Sequence, residues 1–225
     1  MHPYQQRLEA PLPHELGLTP AQRFLKRTFD LMLAVALLLL LLPLILVAAW
    51  AAARDTRASG FFLQQRVGRD GRPFRVIKLR TMRPLAGTSV TTLDDPRITR
   101  FGGLLRRSKL DELPQLFNVL AGHMSFVGPR PDVPGFADRL DEQDRVILAV
   151  RPGITGPATL KYRDEERLLA GVADPERYNR EVIFPDKVRL NRDYVLHWSF
   201  GRDLGYLWHT LFPSGNAARS EEQPE

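Results

Sequence analysis

Residues 31–53 carry no charged side chain, and Pro43 sits at the middle of the run. A helix over this stretch would be about 34 Å long at about 1.5 Å per residue, enough to match a hydrocarbon core of about 30 Å. The run therefore points the chain to a lipid bilayer. Pro43 removes one backbone hydrogen bond and leaves the carbonyl of Leu39 to find another partner. Both flanks are basic, with Lys26 and Arg27 before the run and Arg54, Arg57 and Arg66 after it. Positive charge marks the cytoplasmic side of a membrane, and here both ends carry it. A helix that enters, bends at Pro43 and returns to the same face satisfies both flanks. A plain spanning helix and a signal segment ending at Ala51-Ala52-Ala53 are the other readings, although thirty residues before the run are many for a secretion signal. Asp30, at the edge of the run, either caps the helix start or pairs with Lys26 or Arg27.

Charge is unevenly spread over the 225 residues. The chain has a net charge of +6, but residues 54–109 hold 14 Lys/Arg against 4 Asp/Glu, so the remainder is net acidic. A basic block beside a membrane segment suits anionic lipid, phosphate substrates or nucleic acid. With no cysteine, disulfides and thiolate metal sites are excluded.

The chain divides into a proline-rich flexible tail (1–20), a basic lead-in with the membrane helix (21–57), a head (58–212) and an acidic, disordered tail (213–225). Within the head, two strand-like runs flank a turn at Gly68-Arg69-Asp70-Gly71. Residues 83–97 read as a mobile loop. Leu113, Leu116, Phe117 and Leu120 mark one face of a helix that Gly122 ends. Residues 125–135 cannot be regular helix, and a helix is predicted over 136–150. Arg151-Pro152-Gly153-Ile154-Thr155-Gly156 is a second rigid turn. Residues 186–212 are amphipathic, and Trp198, Tyr206 and Trp208 there serve either a membrane interface or the core.

Asp111-Glu112 is the candidate for chemistry. The structural reading makes Asp111 a helix N-cap, with Pro114 in the first turn and Glu112 a favourable first-turn charge. The chemical reading starts from Arg97, Arg100, Arg106, Arg107 and Arg130, which bracket the pair in sequence. A carboxylate among phosphate-binding cations suits a divalent cation, or attack on phosphorus to form an acyl phosphate. Arg130 lies between two prolines, which restrains its backbone and suits bidentate phosphate contact. Its structural alternative is a surface ion pair. There is no Walker-type loop and no H-E-x-x-H pattern.

These motifs together resemble the bacterial sugar transferases, the small monotopic phosphoglycosyl transferases. The resemblance runs from about Lys26 to Phe212. It comprises Lys26-Arg27-x-x-Asp30, the proline-broken apolar segment, Gln65-Arg66-Val67-Gly68-x-x-Gly71 and Lys78-x-Arg80-Thr81-Met82. It continues through Asp95-Pro96-Arg97-Ile98-Thr99-Arg100, Leu110-Asp111-Glu112-Leu113-Pro114-Gln115-Leu116-x-Asn118, Met124-Ser125-x-Val127-Gly128-Pro129-Arg130-Pro131 and the Arg151–Gly156 turn.

The resemblance implies a mostly helical α/β, membrane-associated single domain. A proline-broken re-entrant helix would carry a cytosolic catalytic head with interfacial amphipathic helices. It implies transfer of a sugar 1-phosphate from a UDP-sugar to polyprenyl phosphate, with release of UMP. Asp111 would be the nucleophile of a phosphosugar–enzyme intermediate, and Glu112 its partner in organising Mg²⁺. Lys78, Arg80, Arg97, Arg106, Arg107, Gln115, Arg130 and Arg151 would bind substrate and phosphates, and Pro43 would break the membrane helix. Membrane lipids, and downstream glycosyltransferases acting on the product, are the implied partners. The implied location is the cytosolic face of the bacterial inner membrane, with both termini cytoplasmic and no nucleic acid partner. Relatives often have serine before the helix-breaking proline, where this chain has Leu42. The larger relatives' multi-helix N-terminal region has no counterpart here, so the chain resembles the minimal catalytic form. Tyr162, Arg163, Asp164, Glu165 and Glu166 either contact the sugar or begin a solvated helix. The competing readings are a membrane-anchored nucleic-acid-binding protein, a nucleotide-sugar hydrolase and a silent scaffold.

Overall fold

The computed structural model describes residues 17–84, 95–137, 140–141 and 143–212. Most of the expected N-terminal tail, the centre of the 83–97 loop and the acidic tail fall outside them.

Helix α1 spans Pro20–Thr56. Its start is a capping box: Thr19 accepts from the Gln22 N–H, Gln22 Oε1 accepts from the Thr19 N–H, and Pro20 occupies the first helical position. Pro43 lies inside this helix, which continues to Arg57, a left-handed C-cap at φ 55°. Asp30 is therefore not a cap but a position well inside the helix.

One face of α1 is buried, through Lys26, Asp30, Ala34, Leu38, Ile45, Ala48, Ala49, Ala52 and Thr56. This spacing of three or four residues is a single helical stripe. The opposite face, including Leu39, Leu40, Val47 and Trp50, is exposed. The helix is long and apolar enough to cross a membrane, and only 17% of its most apolar window is buried.

The head is mostly helical, with two small sheets. Strands β1 (Phe61–Val67) and β2 (Pro73–Leu79) form the expected antiparallel hairpin, in register from Phe61↔Leu79 to Val67↔Pro73. Its turn is a short 3₁₀ segment, Arg69–Gly71, in which Asp70 and Gly71 take positive φ. The base of the 83–97 loop is closed by an Arg83 N–H to Arg97 carbonyl bond of 2.9 Å and a Met82↔Ile98 bridge. Helix α2 (Arg100–Arg107) follows, capped by the Thr99 hydroxyl. Helix α3 (Gln115–Leu120) ends before Gly122, whose φ of +81° reverses the chain as expected.

The helix predicted over 136–150 is not formed as such. The described residues there give only a 3₁₀ helix, Asp144–Ala149. The reason is burial on consecutive positions: Val146, Ile147 and Leu148 are all buried, and one face of an α-helix cannot bury three residues in a row. Strands β3 (Ser125–Val127) and β4 (Gly153–Thr155) pair in parallel. The amphipathic C-terminal stretch is two helices, α7 (Phe184–Leu196) and α8 (Phe200–Leu211). They come after α4 (Pro157–Lys161), α5 (Glu165–Ala170) and α6 (Pro175–Tyr178). The aromatics divide: Trp198 is in the core, whereas Trp208 is exposed.

Buried polar groups lock α1 to this head. Lys26 pairs with Asp203, which also accepts from the Tyr194 hydroxyl at 2.7 Å and Trp198 Nε1 at 3.1 Å. Asp30 accepts from the Ser125 hydroxyl and the Phe126 N–H, both at 3.1 Å. Removing one member of a buried pair leaves an uncompensated charge, at a cost of about 3–5 kcal/mol. Asp203→Ala is expected to lower stability by about that amount, and the Lys26→Met/Asp203→Leu double variant to recover most of it. Thermal unfolding in detergent measures both. A single variant as stable as wild type would show that the pair does not hold the helix.

Candidate active site

The end of α2 sets the geometry. Lys109 takes a left-handed conformation at φ 57°, and the chain then tightens into a 3₁₀ turn, Leu110–Glu112. Helix α3 begins only at Gln115, with Pro114 at its N-cap position. Asp111 is consequently not the N-cap that its sequence position suggested. Its side chain is buried, and its Oδ1 has no hydrogen-bond partner. Buried carboxylate oxygens are usually bonded, and this one is among the few buried polar side-chain atoms of the described residues that are not.

Glu112 is the opposite case. Its Oε1 accepts from Lys78 Nζ at 2.8 Å and from an Arg130 terminal nitrogen at 2.8 Å. Lys78 comes from β2, and Asn118 of α3 fixes that strand. The Asn118 amide accepts from the Ile77 N–H at 2.9 Å and donates to the Arg75 carbonyl at 2.7 Å. This side chain thus pairs with β2 much as a strand would.

Arg130 is fixed by backbone packed on backbone. The Gly153 N–H donates to the Pro129 carbonyl at 2.8 Å, and the Gly128 N–H to the Thr155 carbonyl at 2.9 Å. A Cβ on Gly153 would stand 2.1 Å from the Gly128 nitrogen, and one on Gly156 2.4 Å from the Gly128 oxygen. Only glycine lets the two turns read in the sequence close on each other.

The electrostatics separate the two carboxylates. Burial pushes Asp111 above its ordinary value, against the pull of Lys78. Burial also acts on Glu112, but Arg130 and Lys78 overcome it and hold that carboxyl well below its usual range. Burial lowers Lys78, and Glu112 raises Arg130.

The charge chain continues beyond the predicted set. Arg66 donates to the Pro131 carbonyl at 3.0 Å and to Gln64, and burial together with Arg130 lowers it to about 10. Asp132 is pushed up to about 6 by burial, with Lys187 and Arg66 opposing. Lys187 in turn binds Glu165 at 2.7 Å. Arg66 is legible in the sequence as a basic flank of the apolar run and as part of the Gln65–Gly71 motif, but not as a member of this charge chain. Asn118 lies in the Leu110–Asn118 motif, whereas Asp132 and Lys187 give no local signal, since their roles depend on segments far apart in sequence.

Of the predicted residues, Asp111, Glu112, Lys78 and Arg130 come together. Arg106 lies against Met82 and its charge acts on Asp111. Gln115 is buried in the first turn of α3. Arg97 holds Asp95 at 2.5 Å, and Arg107 is exposed. Arg80 donates to the Ser59 carbonyl at 2.7 Å and covers the Phe62 ring at 5.5 Å. Arg151 donates to the Gly122 carbonyl, among a different set of charges that includes Arg69, Arg27 and Asp30.

Among the described residues no group of three or more His, Asp or Glu side chains forms a metal cage. Mg²⁺ commonly binds through one or two carboxylates, completed by waters and substrate phosphates. The Asp111 orphan oxygen beside Glu112 fits that kind of half-site.

The sequence model described as bacterial sugar transferase matches residues 21–214. The chain is 35% identical over 210 residues to the UDP-glucose:undecaprenyl-phosphate glucose-1-phosphate transferase of Escherichia coli K12, covering 88% of this chain and 42% of that protein. It is 32% identical over 219 residues to the exopolysaccharide production protein ExoY of Sinorhizobium fredii, covering 89% and 90%. It is 40% identical over 197 residues to the exopolysaccharide production protein PSS of Rhizobium leguminosarum bv. phaseoli, covering 83% and 93%. The chain thus spans about two fifths of the first of these relatives and nearly all of the other two.

Opposite pKa shifts give opposite stability effects. Asp111, raised in the fold, destabilises it once pH exceeds the ordinary aspartate value. Glu112, depressed, contributes stability that is complete above the ordinary glutamate value and lost as pH falls through the folded one. At neutral pH, Asp111→Asn is expected to raise the melting temperature by a few degrees, on the order of 1 kcal/mol. Glu112→Gln is expected to lower stability by about 3 kcal/mol, and to flatten the loss of stability that wild type shows on acidification. Melting temperatures of the three proteins between neutral and acid pH decide this. Shifts of the same sign would contradict the separation of the two carboxylates.

Proposed function

The chain belongs to the bacterial sugar transferase family, and on that premise we propose that it moves a sugar 1-phosphate from a UDP-sugar to undecaprenyl phosphate, releasing UMP. The observation that carries this reading is the buried, unpartnered Asp111 oxygen beside the Lys78–Glu112–Arg130 bridge. The E. coli relative is named for the same reaction with UDP-glucose.

The chemistry follows from the residues. A carboxylate oxygen without a hydrogen-bond partner keeps its lone pairs for attack. An Asp111 oxygen attacks the phosphorus that bears the sugar. The bond from that phosphorus to the bridging oxygen breaks, and UMP leaves with the electron pair. The resulting acyl phosphate holds the sugar phosphate on Asp111. An oxygen of the lipid phosphate then attacks the same phosphorus and frees the Asp111 carboxylate. Lys78 and Arg130 neutralise charge on the transferring group, and Glu112 keeps both cations in place. Asp111 and Glu112 would hold Mg²⁺, which when bound neutralises diphosphate charge.

The membrane element fits this reading. The two halves of α1, on either side of Pro43, both pack on one head: Ala34 and Leu38 in the main core, and Ala48, Ala49 and Ala52 against Leu79 and Leu105. A straight helix of 37 residues is about 55 Å long and would carry its ends to opposite faces of a bilayer. Contact with one head at both ends favours a helix that stays on one side, with its exposed face in lipid. That side is the cytosolic face of the cytoplasmic membrane, where UDP-sugars are made and where later glycosyltransferases extend the lipid product. Against nucleic acid binding, Arg66, Lys78, Arg80 and Arg130 of the basic head bond to acceptors within the protein.

UMP release from a panel of UDP-sugars, with polyprenyl phosphate and Mg²⁺, tests the reaction. Lipid-dependent release is expected with at least one donor, and a loss of roughly a thousandfold or more in Asp111→Asn. A donor labelled at the sugar phosphate should leave hydroxylamine-labile label on wild type when the lipid is withheld. Undiminished turnover in the Asn variant would sink the covalent route, and UMP release that continues over many turnovers without lipid, beyond the single equivalent of the first step, would mark a hydrolase. Topology is tested separately in this cysteine-free chain. Ala21→Cys and Ser59→Cys should both react with an impermeant maleimide from the cytosolic face of sealed vesicles. Reaction from opposite faces would establish a spanning helix.

A further inference from the structure

A second group of cations surrounds a concavity away from the Asp111 bridge. Arg23, Lys26, Arg69 and Arg151 line it, with Asp30 as the lining carboxylate. Lys26 is already neutralised by Asp203, and Asp30 is held by Ser125 and the Phe126 N–H. The three arginines are what this concavity presents. Arg23 is fixed by its Nε on the Leu18 carbonyl at 2.8 Å, and Arg151 by its Nε on the Gly122 carbonyl at 2.8 Å. Among the described residues, the terminal nitrogens of these two forks donate to no protein acceptor. Arg69 pairs with Asp70 at 3.2 Å with both side chains well exposed, a contact worth little. Burial first, and then the charges of Arg69 and Arg27, lower the pKa of Arg151 against the opposing pull of Asp30 and Asp70.

The depth of the cluster selects its ligand. Phe24 and Leu25, next to Arg23 on α1, are 75% and 48% exposed, and Met32, where the apolar face begins, is 69% exposed. The arginines thus stand where an exposed apolar helix face meets the polar head, which is the level of lipid phosphates. Guanidinium forks suit phosphate oxygens bidentately.

We propose that Arg23, Arg69 and Arg151 form a second anion site that takes the phosphate of an anionic membrane phospholipid, separate from the reacting centre. The lipid's chains lie along the exposed face of α1 while its phosphate engages the arginines. Free phosphate has the second attraction but not the first. The separation is visible in the charges involved: Arg151 feels Arg27, Arg69, Asp30 and Asp70, while Arg130 feels Glu112, Glu165 and Asp132. The site does not depend on the transfer reaction.

Native mass spectrometry of the full chain, released from micelles holding equal phosphatidylglycerol and phosphatidylcholine, tests this. Wild type is expected to retain phosphatidylglycerol selectively, and Arg23→Gln/Arg69→Gln to lose at least about fivefold of that occupancy. Arg167→Gln/Arg180→Gln removes the same charge from exposed positions elsewhere and should retain the lipid. Inorganic phosphate, added at the lipid's concentration, should not displace it. Arg23→Gln alone repeats the comparison if thermal unfolding shows the double variant to be destabilised. The proposal is overturned if wild type shows no preference for phosphatidylglycerol, if the Arg23 variants keep it, if the control pair loses it equally, or if inorganic phosphate displaces it.

Discussion

The Glu112 carboxylate carries the architecture of the head. Three segments distant in sequence meet on it: the 3₁₀ turn that bears it, β2 through Lys78 and the Gly128–Pro131 turn through Arg130. Each cation is partly or wholly out of water, and each would be costly there alone. One carboxylate oxygen compensates both. The neighbour, Asp111, then stands next to fixed positive charge without being bonded to it, which is the arrangement an attacking carboxylate needs. Two adjacent acidic residues thereby acquire opposite characters: one stabilises, the other keeps an unpartnered buried oxygen at some cost to the fold.

A similar division of labour links the head to α1. The Lys26–Asp203 pair and the Asp30 contacts to Ser125 and Phe126 lie just before the apolar run. Asp203 joins α1, α7 and α8 at one point through Lys26, Tyr194 and Trp198. Polar groups buried in this way specify geometry more than they add stability. They set where the apolar face of the helix stands relative to the head. In the proposed reaction that depth matters, because a lipid phosphate and a soluble nucleotide must reach the same carboxylate.

Parts of this were legible in the chain. The apolar run, the hairpin around Gly68–Gly71 and the short helix ended by Gly122 all rest on local patterns, and local patterns determine local structure. The expectation of an Asp111 N-cap failed because Lys109 adopts a left-handed conformation and delays the helix to Gln115. Nothing in the local propensity of lysine announces that. The helix expected over 136–150 failed because the core takes three consecutive side chains, a demand made by neighbouring elements. Arg80, Arg97 and Arg151 share the composition of site residues, but only their partners reveal where each one is engaged.

The sequence by itself determined the long apolar helix, the secondary elements with strong periodicity and turn chemistry, and the family. These depend on residues close together in the chain or on their order along it. The tertiary structure alone decided which carboxylate is bridged and which is left unpartnered, that Asn118 fixes β2, that Arg66, Asp132 and Lys187 extend the charge chain, and that three other arginines gather elsewhere. Those outcomes depend on distances between segments tens of residues apart, and on the burial that makes a charge at such a distance count.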